Sequence, residues 1–155
     1  NTNTGGRILK IKKNLEKDNN FLLTYGDALS DVDINSVIKL HERKKAYATI
    51  TVVKKPERYG KVKIINNKIK KFDEKNNNIL INGGFMVISS KIFKYLKNNN
   101  DIFEKKILEN LTYKKKIYGH LHSGFWQCVD NFRDWKFLEK IYKSNKNKKI
   151  FLNTK

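Results

Sequence analysis

The chain has 155 residues, long enough for one domain with a real core, and 34 Lys and Arg against 15 Asp and Glu leave it a formal net charge of +19. A single cysteine, Cys128, excludes an internal disulfide and fits a reducing cytoplasm. No apolar run approaches the length of a membrane span, and no signal-peptide pattern is present. The charge invites a nucleic-acid partner, but arginine, the residue favoured for bidentate base and phosphate contacts, occurs only at Arg7, Arg43, Arg58 and Arg133. A joint excess of Lys, Asn and Ile is what A+T-rich codons produce, so most of the charge reads as solvated surface. No specific nucleic-acid partner is expected.

In chain order, Thr2-Asn3-Thr4-Gly5-Gly6-Arg7 reads as a loop opening a helix with Ile8, Ile11 and Leu15 on its apolar face. Backbone N–H groups there offer an anion or a base edge a place to dock; the alternative is a plain N-terminal turn. Phe21 to Tyr25 is a short apolar run of strand length, expected inside a parallel sheet with both faces covered. Gly26-Asp27 comes next, just past the carboxyl end of that strand and before a helix, where open α/β sheets bind ligands. Gly26 permits a sharp turn. Asp27 offers hard oxygens to a Mg²⁺ carrying phosphates, or is a turn residue; both readings stay open.

Asp33 reads as the N-cap of a helix to Lys45, with Ile34, Val37, Ile38 and Leu40 on its apolar face and His41 as a packed or surface histidine. Tyr47 to Val53 alternates as a strand, and the stretch from Lys54 to Gly60, with Pro56, reads as a loop. Val62–Ile65 and Lys68–Phe72 around Asn66-Asn67 form a hairpin, because Asn tolerates the left-handed conformation the turn demands. Lys75, just beyond, is by composition one more surface lysine.

Ile79 to Ser89 is an apolar run broken by Asn82-Gly83-Gly84, and glycines inside a strand mark a bulge or the close approach of a ligand. Helices are expected over Lys91–Lys97 and Ile102–Tyr113, the second with Phe103, Ile107, Leu108 and Leu111 on one face. Lys116–His122 is a strand placing Tyr118, His120 and His122 together, without the further ligands a zinc site requires. Gly124-Phe125-Trp126-Gln127 and Asp130 precede a helix over Asn131–Tyr142, with Phe132, Trp135, Leu138 and Ile141 facing in. Phe85, Phe93, Phe103 and Trp135 thus fall at core positions, not on an exposed sheet where bases could stack. Asp130, like Asp27, reads as a metal ligand or as a cap.

These motifs in this order resemble the glucose-1-phosphate cytidylyltransferases of the sugar nucleotidyltransferase group: Thr-Gly-Gly-Arg, Leu-Thr-Tyr-Gly-Asp with Asp-Val-Asp behind it, Asn-Gly-Gly-Phe, Gly-Phe-Trp-Gln, then Asp130 with Arg133-Asp134. The resemblance runs over nearly the whole chain and implies a Rossmann-like mixed α/β sheet of the nucleotide-diphospho-sugar transferase type. The chain divides as a partial nucleotidyltransferase domain over 1–143 and a basic tail over 144–155. The implied reaction takes CTP and α-D-glucose 1-phosphate to CDP-glucose and diphosphate; the alternatives are a sugar-1-phosphate nucleotidyltransferase using another nucleotide or sugar, or a basic nucleic-acid-binding module. The resemblance makes Asp27 and Asp130 ligands of Mg²⁺ and, with Lys75, the catalytic set. It puts Thr2, Arg7 and Gly26 at the nucleotide, and Asn82, Gly83, Gly84 and Trp126 around the sugar. It implies a homo-oligomer in the cytoplasm.

Two positions depart from the pattern. The family's Glu-Lys-Pro is Glu74-Lys75-Asn76 here, which loosens the setting of Lys75, and Gly-Asp-Gly is Gly26-Asp27-Ala28, where Ala is poor at positive φ. The resemblance further implies a preceding segment of roughly a hundred residues, an estimate from the size of one domain. That segment would carry the Gly-rich loop that cradles the triphosphate. The chain without it is expected to be catalytically silent and to expose Phe21–Tyr25 as an apolar edge.

Overall fold

A computed structural model describes residues 2–55, 61–73 and 79–144. Helix α1 (Thr4–Lys10) and the single turn α2 (Lys12–Leu15) lead into β1 (Asn20–Thr24), and a three-residue strand β2 (Ala28–Ser30) precedes α3 (Ile34–Lys44). Asp33 sets the start of α3: its carboxylate accepts from the Asn35 N–H at 3.0 Å and from Ser36 Oγ at 2.6 Å. Lys45, at φ 47°, ends it in the left-handed region. Strand β3 (Ala48–Lys55) is followed by the hairpin β4 (Lys61–Ile65) and β5 (Lys68–Asp73). Asn66 and Asn67 turn that hairpin with φ of 49° and 59°, as the two-residue turn requires.

The eleven-residue β6 (Ile79–Ser89) runs into a 3₁₀ turn over Ser90–Lys94, shorter than the helix expected over Lys91–Lys97. A π-helical stretch (Glu104–Glu109) continues as α4 (Asn110–Tyr113). Then come β7 (Ile117–His122), β8 (Trp126–Cys128) and α5 (Phe132–Lys143). No helix among the described residues is long and apolar enough to cross a membrane.

The main sheet has the order β1-β6-β3-β7. It is mixed: β3 and β7 are parallel, whereas β1 and β3 are both antiparallel to β6. The parallel setting expected for Phe21 to Tyr25 is therefore corrected to an antiparallel one, while the exposed apolar edge expected of this chain is present. Among the described residues β1 lies at the sheet edge with β6 as its strand neighbour, and it is covered on one face. Phe21 and Leu23 point into the core, while Leu22 stays exposed because α3 lies over β3, β6 and β7.

That core sits between the sheet and the layer of α1, the 3₁₀ turn and the π-helical stretch. Phe103, Ile107 and Leu111, four residues apart, are fully buried against Ile88 and Ala48, and Phe21 stacks on Phe93 at 5.9 Å. Gly5 and Gly6 belong to this packing. They fall inside α1, not in a loop before it, and a Cβ on Gly6 would collide with the carbonyl of Asn99. Their N–H groups donate to Asp101 O at 2.9 and 3.2 Å. The donors expected to hold an anion are thus spent within the protein.

A second correction concerns α5. Leu138 is buried, but Phe132 and Trp135 are 66% and 47% exposed and stack on each other at 5.3 Å. The side chain buried one turn before Leu138 is Asp134, because the helix is pinned through its polar N-terminus. Phe93 and Phe103 are sequestered in the core as expected, whereas Trp135 is not.

On the other face of the sheet, His41 joins three elements. Its Nδ1 lies 3.0 Å from Thr49 Oγ1 on β3 and its Nε2 3.1 Å from Asn20 Oδ1 on β1, with the residue 2% exposed. Burial lowers the pKa of the imidazole below its ordinary value, and nearby Glu42 offsets this only in part. A histidine depressed in this way contributes stability that is present above the unfolded pKa, about 6.5, and is lost as pH falls through the folded value. Thermal melts at pH 7.5 and 5.5 should therefore show a drop that His41→Gln flattens; an undiminished pH dependence in that variant would assign the effect to other groups.

Candidate active site

The end of β1 sets the first part of the site. After Thr24 the chain turns at Gly26, whose φ is +83°. The positive φ falls on Gly26 and not on Ala28, so the departure from Gly-Asp-Gly carries no strain. Asp27 is exposed, and the short β2, which was not expected from the sequence, stands between it and the helix expected from Asp33. β2 pairs antiparallel with β8: Ala28 with Cys128, Leu29 with Gln127, Ser30 with Trp126. The pairing extends by one bond at each end, Val129 N to Asp27 O at 2.8 Å and Asp31 N to Phe125 O at 3.2 Å. This two-stranded ribbon brings Asp27 and Asp130 to the same end, although they lie a hundred residues apart in the chain.

Asp130 is not the cap of α5. That role belongs to Asn131, whose Oδ1 accepts from the N–H groups of Arg133 at 3.0 Å and Asp134 at 3.1 Å. The Asp130 carboxylate accepts instead from Cys128 Sγ at 3.2 Å and lies 3.5 Å from Lys55 Nζ, at the end of β3. Its N–H donates to Asp134 Oδ2 at 3.2 Å. Burial, reinforced by Asp130, pushes the Cys128 thiol up, so it stays a neutral donor. The ion pair with Lys55 is half exposed and contributes little to stability. Lys55 was not legible as a site residue among so many lysines.

The second part of the site is a break in β6. Ile50 pairs with Met86 and Val52 with Asn82, so Thr51 alone faces Gly83, Gly84 and Phe85. Gly84 takes a φ of +81°, which only glycine adopts without strain, and the Tyr25 ring lies in van der Waals contact over it. The Asn82 side chain holds the break: its Oδ1 accepts from Gly84 N at 3.0 Å and its Nδ2 donates to Tyr25 Oη at 3.2 Å. Trp126 Nε1 donates to Gly83 O at 2.8 Å, fastening the ribbon to the break.

Tyr25 and Glu104 tie these parts to α1. Tyr25 Oη donates to Glu104 Oε1 at 2.8 Å, Thr4 Oγ1 donates to Glu104 Oε2 at 2.8 Å, and Phe103 N donates to Thr4 Oγ1 at 2.9 Å. Burial works to raise the Glu104 pKa, but bonds from its own N–H, Tyr25 and Thr4 outweigh that and hold it below the usual range. Burial first, then the Glu104 carboxylate, raises the pKa of the Tyr25 hydroxyl far above its ordinary value, so it remains a donor.

The structure thus gathers Gly26, Asp27, Asn82, Gly83, Gly84, Trp126 and Asp130 around one break and one ribbon. Thr2 precedes α1 and Arg7 is exposed on it, the helix that Thr4 ties to Glu104. Lys75 lies outside the described residues, as does the chain beyond Ser144. Tyr25, Glu104 and Thr4 were missed as a unit. A glutamate between Phe103 and two lysines looks in sequence like a solvated helix face, and no spacing signal separates it from one. Among the described residues no three His, Cys, Asp or Glu side chains form a metal-ligand group, so a cation held here would take its remaining ligands from phosphates or water.

Residues 1–143 match the family model described as nucleotidyl transferase. A probable glucose-1-phosphate cytidylyltransferase of Bacillus subtilis is 37% identical over 143 residues, covering 91% of this chain and 56% of that protein. The glucose-1-phosphate cytidylyltransferase of Salmonella typhimurium is 32% identical over 145 residues, covering 92% of this chain and 56% of that protein. The chain therefore spans about half the length of these curated relatives. Among solved structures, HddC from Yersinia pseudotuberculosis superposes with a TM-score of 0.67 at 20% identity, over 92% of this chain and 63% of that one. A putative glucose-1-phosphate thymidylyltransferase from Bacillus anthracis superposes with a TM-score of 0.68 at 17% identity, over 92% and 62%. At these identities the likeness is one of fold.

The Tyr25–Glu104 bond yields a direct expectation. Tyr25→Phe removes a donor to a half-buried carboxylate and should cost about 1–2 kcal/mol in urea unfolding. Combined with Glu104→Gln, the loss should be less than the sum of the two single losses. Strict additivity would mean the two groups do not act together.

Proposed function

This chain belongs to the nucleotidyl transferase family, and on that premise we propose that it forms part of an enzyme transferring a cytidylyl group from CTP to α-D-glucose 1-phosphate, releasing diphosphate and CDP-glucose. The observation that carries this reading is the convergence of Asp27 and Asp130 on one end of the β2–β8 ribbon, beside the break at Asn82–Gly84. The identity to two cytidylyltransferases points the nucleotide toward CTP.

In the reaction a phosphate oxygen of the sugar phosphate attacks the α-phosphorus of CTP. The new P–O bond forms as the bond to the β-phosphate oxygen breaks, and the electron pair leaves with diphosphate. The protein's task is alignment and neutralisation of charge. In this reading Asn82, Gly83, Gly84 and Trp126 shape the sugar side of the site: the two glycines are buried beneath Trp126 and Tyr25, and Trp126 is fastened to them by its bond to Gly83 O. Tyr25 and Asn82 fix the break through bonds to each other, so that little of it must reorganise when the sugar enters.

Asp27 and Asp130 have the donor chemistry of a Mg²⁺ site: hard carboxylate oxygens, exposed and flanking the same end of two paired strands. When bound there, Mg²⁺ neutralises phosphate charge and steadies the triphosphate. Cys128 holds one Asp130 oxygen from behind, which orients the carboxylate. The family pattern assigns Thr2, Arg7 and Gly26 to the nucleotide and Lys75, which lies outside the described residues, to the sugar phosphate.

In the full-length protein, product formation with glucose 1-phosphate and Mg²⁺ should favour CTP over UTP, dTTP and ATP; preference for another nucleotide rejects the cytidylyl assignment. Asp27→Asn and Asp130→Asn should each lower kcat on the order of 10²–10³-fold, the scale of a lost electrostatic contact at a reacting centre. Near-normal turnover at limiting Mg²⁺ in both variants would remove them from the metal site.

A further inference from the structure

The end of the β2–β8 ribbon away from Asp27 and Asp130 carries a cluster that the proposed chemistry does not use. His122 Nε2 lies 2.9 Å from Asp31 Oδ1, 3.1 Å from Phe125 O and 3.3 Å from Ser30 Oγ. The Ser30 hydroxyl donates to Phe125 O at 2.8 Å, and its oxygen accepts from Val32 N at 3.2 Å. All three neighbours of Nε2 are therefore acceptors, and Nε2 carries the proton. This excludes a nucleophilic serine, because a general base must accept from the hydroxyl it activates.

The cluster works mechanically. A ribbon of three pairs is marginal by itself and needs outside anchors, and a slip of one residue would turn its side chains to the opposite face. Trp126 anchors the ribbon to β6. His122 is the last residue of β7, a strand of the main sheet, and Phe125 stands just before β8. The imidazole, largely buried, bridges them and grips Asp31, the residue just past the end of β2. Gly124 fits under the pair, since a Cβ there would collide with Asp31 Oδ1.

We propose that Asp31 and His122 form a positioning clamp: by holding Phe125 against Ser30 they set the register of the ribbon, and with it the relation of Asp27 to Asp130 for a shared divalent cation. The proposal rests on the reading of those two carboxylates as cation ligands. It also gives the Asp-Val-Asp and Gly-Phe-Trp-Gln stretches a role, as the two halves of one joint.

The test uses the full-length protein and Mn²⁺ as the probe, with CTP present and no sugar phosphate, free Mn²⁺ being measured by electron paramagnetic resonance. Steady-state kinetics with Mg²⁺ and melting temperatures run alongside. His122→Leu and Asp31→Ala should weaken Mn²⁺ binding about tenfold, the lower end of what groups orienting metal ligands control. The Mg²⁺ needed for half-maximal rate should rise in parallel, with KM for the sugar phosphate unchanged. His122→Gln, which keeps an N–H donor, should recover most of the binding. Asp31 is exposed, so Asp31→Ala reports even if His122→Leu does not fold. Unchanged Mn²⁺ binding in Asp31→Ala, or equal losses in His122→Gln and His122→Leu, overturns the clamp while a loss in Asp130→Asn keeps the cation reading. Unchanged binding in Asp130→Asn overturns the cation reading and the clamp with it.

Discussion

The break in β6 at Gly83-Gly84 is the constraint on which the site depends. A regular strand there would pair straight through with β3 and present a side chain at each position. Instead Gly84 takes a positive φ, Asn82 folds back to accept from Gly84 N, and the Gly83 carbonyl turns outward to meet Trp126. The conformation costs little at glycine and would be strained at any other residue type. Three separate stretches use it: the Tyr25 ring lies over Gly84, the Tyr25 hydroxyl takes the Asn82 amide, and the β2–β8 ribbon hangs from Gly83 O.

The ribbon then solves a problem of distance. Two carboxylates a hundred residues apart must reach one place, and neither is in the main sheet. Antiparallel pairing of three residues does this, with the Asp27 carbonyl accepting from Val129. So short a ladder stabilises itself little. Its geometry depends on what grips it: the buried Cys128 beside Asp130 at one end, and Trp126 with the polar contacts of His122 at the other. Glu104 performs the matching task on the other side, joining Thr4 of α1 to Tyr25 beside the Gly26-Asp27 turn.

Much of this was legible in the residues. The hairpin at Asn66-Asn67, the cap at Asp33 and the bulge at Asn82–Gly84 came from local chemistry, because each depends on conformational preferences of the residues themselves. The pairing of β1 did not. An apolar run of five looks the same whether its neighbours are parallel or antiparallel, and the partner that decides it, β6, lies about sixty residues on. Gly5-Gly6 read as an open loop because sequence cannot show the Asn99–Asp101 backbone that fills the space beside them. Phe132 and Trp135 fit the helical period of a buried face, yet the buried residue is Asp134, recruited by the Asp130 N–H. The ribbon was invisible for the same reason as the β1 pairing: three-residue strands carry no periodic signal.

The most direct test of the account is anomalous diffraction from crystals of the full-length protein grown with Mn²⁺ and CTP. A manganese peak touching the carboxylates of Asp27 and Asp130, at the end of the β2–β8 ribbon and against the triphosphate, is expected. A manganese ion that binds the nucleotide but touches neither carboxylate would contradict it.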